Sequence, residues 1–94
     1  MNAADLALVK AYLTGKPLDP AVGPQLARGS YFVRGCKLYL RAPLDPWLNS
    51  RLRTAITAVL TEFGPRGCDI DDAIRQGRAG VAALLKGVLW KGEI

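Results

Sequence analysis

The chain reads as an α+β domain: an N-terminal helix, one β-hairpin at about residues 30–41, and two longer helices packed on one hairpin face. Three observations predict this. Apolar residues recur at helical spacing in three separate stretches, around 6–13, 48–63 and 70–88. Between the first two lie two short strand-like runs, Tyr31-Phe32-Val33 and Cys36-Lys37-Leu38-Tyr39-Leu40, separated by Arg34-Gly35. Ninety-four residues, half of them hydrophobic, suffice for one core, so residues 1–94 are expected to form a single small domain.

The first helix is predicted over 3–14, with Asn2 as N-cap. Leu6, Val9 and Leu13 form its stripe, Leu8 and Tyr12 widen it, and Gly15 stops it. Residues 15–29 are rich in proline and glycine, which disfavours a long regular element. We read them as an ordered connection, because Leu18, Val22 and Leu26 can pack, with a short helical turn over 24–28.

A hairpin turning at Arg34-Gly35 would pair Val33 with Cys36, Tyr31 with Leu38 and Gly29 with Leu40. Opposed residues share a face. One face is then Tyr31, Val33, Cys36, Leu38 and Leu40; the other is Arg28, Ser30, Phe32, Lys37, Tyr39 and Arg41. The next helix is predicted to open with Asp45 as N-cap and Pro46 at its first position. Leu48, Leu52, Ile56, Val59 and Phe63 keep helical spacing up to Gly64-Pro65. The last helical segment covers 69–90, with Ile70, Ile74, Val81, Leu84, Leu85 and Val88 as its stripe. A break is expected near Gly77 and Gly80. The tripeptide Leu-Asp-Pro occurs at 18–20 and again at 44–46, which capping chemistry explains.

Charge is concentrated. The net charge is +5, and Arg28, Arg34, Lys37, Arg41, Arg51 and Arg53 fall in one window opposed only by Asp45. Elsewhere basic and acidic residues cancel. Such a patch points to a nucleic acid or an acidic protein surface, or else to a solvated basic face.

Catalysis is poorly served. No histidine is present to act as a base near neutral pH. Cys36 and Cys68 stand in no catalytic motif and read as free, buried thiols; two cysteines without histidine do not make an ordinary zinc site. Asp69, Asp71 and Asp72 could hold Mg²⁺, but they also suit a helix N-terminus. We therefore expect no cofactor and no enzyme.

Gly77-Arg78-Ala79-Gly80 resembles the backbone-clamping loop of KH domains, and by that resemblance Arg78 would approach phosphates. The strands of a KH fold are not evident around it, and a closely packed helix pair explains the same residues. Read instead as a helix-turn-helix, the segment offers few side chains able to read base edges. Trp47 either covers the core edge or anchors an interface, and Trp90 closes a cationic, apolar C-terminal stretch suited to a core helix, a partner groove or a membrane surface.

The hairpin's basic and aromatic face remains. Rings interleaved with cations suit single-stranded or looped nucleic acid, where aromatics stack on bases and Lys and Arg follow phosphates. We expect a small regulatory or accessory protein that docks on nucleic acid or a nucleoprotein assembly through Arg28, Phe32, Arg34, Lys37, Tyr39, Arg41, Arg51 and Arg53. Lys37 and Arg41 should then matter more than Arg75 and Lys86. The alternative is a protein-interaction module, an inhibitor or adaptor, of the kind that phages or mobile elements encode. Open hairpin edges make a homodimer a third possibility for the partner surface. The opening residues lack the regions of a signal peptide and no apolar run approaches a membrane span, so a cytoplasmic protein is expected.

Overall fold

Most of the molecule is arranged around its first helix. In the computed structural model, which describes residues 3–41 and 45–85, α1 spans Ala3–Thr14. Ala4, Leu8, Val9, Ala11, Tyr12 and Leu13 are all buried, so the apolar surface of α1 wraps far round its circumference. A helix with that pattern takes neighbours on several sides. It meets α2 (Ser50–Phe63), α4 (Arg78–Leu85), the second hairpin strand and a 3-10 turn, Pro20–Gln25.

The α+β class holds, with the N-terminal helix and a two-stranded antiparallel hairpin in place. Its layers differ from the expectation in one respect. The main contacts with the hairpin come from α1 and the 3-10 turn, both on β2 (Lys37–Leu40), whereas α2 packs on α1, α3 and α4. The fully buried side chains Leu8, Leu52, Ile56, Leu60, Ile74, Leu85, Val9, Val59 and Val81 place the core among the helices.

The hairpin pairs β1 (Tyr31–Arg34) with β2 through Tyr31↔Leu40, Phe32↔Tyr39, Val33↔Leu38 and Arg34↔Lys37. The turn is therefore Gly35-Cys36, one residue later than predicted. A turn at Arg34-Gly35 would, in the favoured type I′ form, force Arg34 into positive φ. Here Gly35 alone carries it, at +65°, and glycine bears that conformation without strain. The pairing slides by two residues, so both strands keep their faces. Only the ends change: Arg34 joins the strand, and Cys36 moves from the expected apolar face into an exposed turn. Val33 is 61% exposed although its cross-strand partner Leu38 packs against the core, because the main contacts of the body fall on β2 rather than β1.

In the connection, Leu18, Val22 and Leu26 are buried, and the regular turn lies at Pro20–Gln25 rather than 24–28. Leu18 donates its N–H to the Leu38 carbonyl (2.8 Å), closing part of the outer edge of β2.

The two Asp-Pro steps make the same turn contact. Asp19 Oδ1 accepts from the Ala21 N–H (2.9 Å), and Asp45 Oδ1 accepts from the Trp47 N–H (2.8 Å). Asp45 thus makes its own single turn rather than capping the following helix. Asn49 caps α2 instead, its side chain accepting from the Leu52 N–H (3.1 Å). One consequence is that Leu48, expected on the core stripe, is 74% exposed.

The last helical segment breaks at Gly77, dividing α3 (Ile70–Gln76) from α4. Gly80 permits the close approach of the two: a Cβ there would lie 2.6 Å from Gln76 Cβ and 2.9 Å from the Ala73 carbonyl. Asn2, Leu44, Lys86, Val88, Trp90 and Lys91 lie outside the described residues. Among the described residues, no helix is long and apolar enough to cross a membrane.

Candidate nucleic-acid interface

The outer face of the hairpin is built in rungs. Ser30 opposes Arg41, whose N–H donates to the Ser30 carbonyl (3.1 Å). Phe32 opposes Tyr39, and Arg34 opposes Lys37. Successive rungs on one face lie about 7 Å apart. The aromatic rung thus sits between basic groups on either side. The Phe32 and Tyr39 rings stack, with centroids 5.5 Å apart and planes at 22°. Phe32 is 38% exposed, so an aromatic surface reaches solvent.

Residues 28–41 contain no acidic residue. Among the described residues, none of Arg28, Arg34, Lys37 and Arg41 is in an ion pair, and all four are exposed. Arg28 sits in the turn that enters β1, outside the paired strand residues.

The remaining expected residues divide. Arg51 Nη1 donates to Asp5 Oδ1 at 2.6 Å, with both side chains partly buried. That guanidinium ties α2 to α1, so it is committed within the fold. Arg53 lies over the Trp47 ring, 5.3 Å from its centroid, and donates through Nη1 to the Trp47 carbonyl (3.2 Å). Trp47 is 42% exposed and projects from the Asp45 turn.

Arg75, which sequence reasoning left among the residues of little consequence, lies over the same indole at 5.1 Å. Its spacing from Asp71 suggests an ordinary helix-surface pair. No ion pair joins them among the described residues. Nothing in the linear order of residues places the end of α3 beside Trp47.

No family model matches this chain, and no curated protein or solved structure matches it significantly.

The other motifs take structural parts. Arg78, placed near phosphates by the KH resemblance, lies over the Tyr12 ring at 5.8 Å, and the hairpin is the one sheet among the described residues. Burial raises the Tyr12 hydroxyl above its ordinary pKa; Arg78 opposes that shift and Asp45 adds to it. Asp69 caps α3, accepting from the Asp72 N–H (3.0 Å), and Asp72 Oδ2 accepts from Gln76 Nε2 (2.6 Å). Both cysteines are free, but neither is buried as expected: Cys68 is half-buried and Cys36 is exposed.

Proposed function

We propose that this protein docks on single-stranded or looped nucleic acid, free or within a nucleoprotein assembly, through the outer face of its hairpin. The observation that carries the reading is the tip rung. Arg34 stands directly opposite Lys37, and no acidic residue in the hairpin offsets them. Like charges directly opposed destabilise a hairpin. A strand of phosphates turns that opposition into attraction, while the exposed ring of Phe32 offers a base a stacking surface.

The test is anisotropy with labelled oligo-dT and oligo-U at rising salt. Binding should weaken steeply with salt, and the Lys37→Ala/Arg41→Ala double variant should weaken it far more than Arg66→Ala. Absence of binding to any DNA or RNA at about 50 mM salt sinks the reading.

A protein partner is favoured by one other observation: Val33 and Leu48 are 61% and 74% exposed. A tagged copy captured from lysate with and without nuclease separates the two readings. A protein retained after nuclease, and lost on changing Phe32 or Tyr39, supports the second. Pairing of two copies through β1 is the remaining route to a larger sheet, and a strict monomer at micromolar concentration in sedimentation removes it.

A further inference from the structure

We infer that Trp47, Arg53 and Arg75 form a second nucleic-acid contact, a two-guanidinium clamp for one backbone phosphate. The inference rests on the reading of the hairpin as a nucleic-acid surface and adds a contact on the helical body.

Three features point to it. Two guanidiniums from different helices, α2 and α3, lie over one indole at 5.3 and 5.1 Å from its centroid. A cation over a ring is held through its charge, so its N–H donors remain available to an anion. Arg53 uses one of them on the Trp47 carbonyl, whereas the Arg75 guanidinium makes no hydrogen bond among the described residues. Second, the acidic neighbours leave both cations unneutralised. Asp45 accepts from the Trp47 N–H, and neither Arg53 nor Arg75 is in an ion pair among the described residues. Third, two like charges held against one exposed indole repel each other, and a phosphate shared by both would relieve that repulsion. The planar guanidinium fork matches phosphate oxygens in a way that a lysine would not.

The experiment uses the Trp90→Phe protein, in which Trp47 is the sole tryptophan. Oligo-dT is titrated while Trp47 emission and the salt dependence of binding are recorded. Saturation should change the emission. Arg75→Gln should reduce the slope of log K against log salt by about 0.7, the share of one phosphate on a single strand. Arg53→Gln should do the same, which guards against a fold defect peculiar to either variant. Arg66→Gln removes the same charge from an exposed loop and should leave the slope unchanged. Binding by the parent protein with unaltered slopes in both Arg53→Gln and Arg75→Gln overturns the clamp and spares the hairpin reading. No binding by the parent overturns both.

Discussion

Reversing one charge at the hairpin tip should make the protein more stable and a poorer binder at once. The perturbation is Lys37→Glu. Directly opposed Cβ atoms lie about 5 Å apart, and long side chains splay their charges to about 7 Å. At that separation two like charges in water repel by about 0.6 kcal/mol. Changing the sign of one swings the interaction by about 1.2 kcal/mol before side-chain ordering is counted, leaving a gain near 1 kcal/mol, the upper end for an exposed pair. For a domain of this size that raises the melting midpoint by about 4–8 °C. Screening should cut the gain to about half at 0.15 M salt and to about a tenth at 1 M. Thermal unfolding by circular dichroism at three salt concentrations reads the first effect. Anisotropy with oligo-dT reads the second, where losing one phosphate contact lowers the salt slope by about 0.7. A variant that melts at or below the parent at low salt refutes the opposed-charge argument. Undiminished binding refutes the hairpin as the contact surface.

Ile56→Ala, at a fully buried site on α2, should destabilise the fold by about 2–5 kcal/mol in urea unfolding. Asp69→Ala removes the cap of α3 and should cost about 1 kcal/mol, with no change in the response of the melting temperature to Mg²⁺. Tyr12 has a raised pKa in the folded state, so its hydroxyl loses its proton first in the unfolded chain. Its share of stability is complete below the unfolded value of 10.0 and declines as pH rises through the folded one. Unfolding curves from pH 8 to pH 11 should therefore show a smaller alkaline loss for Tyr12→Phe than for the parent.

The helices were legible to the degree that their signals are local. The 3–14 helix and the end of α2 at Gly64 depend on apolar spacing and on a stop residue, and both stand where these place them. The start of α2 was misplaced because Asp45-Pro46 carries the chemistry of a cap and of an isolated turn equally well. The choice falls to Asn49, a second capping residue further along. The hairpin faces survived a misplaced turn because a slide of two residues preserves the alternation. The exposure of Val33 was not legible, since the reach of the helical body beneath the hairpin is a property of packing.

Local chemistry in the chain determined the α+β class, the basic and aromatic face of the hairpin, and the concentration of positive charge between Arg28 and Arg53, whereas the pairing across that face was set by the turn at Gly35-Cys36. Each follows from spacing, turn preference or a count of charges over neighbouring residues. Tertiary structure decided which of those cations remain available. It placed Asp5 of α1 against Arg51, withdrawing that guanidinium into the fold. It carried Arg75 from the end of α3 onto Trp47. A charge acts on whatever lies within a few ångströms, and in a folded chain that neighbourhood is set by how helices pack rather than by their order along the sequence.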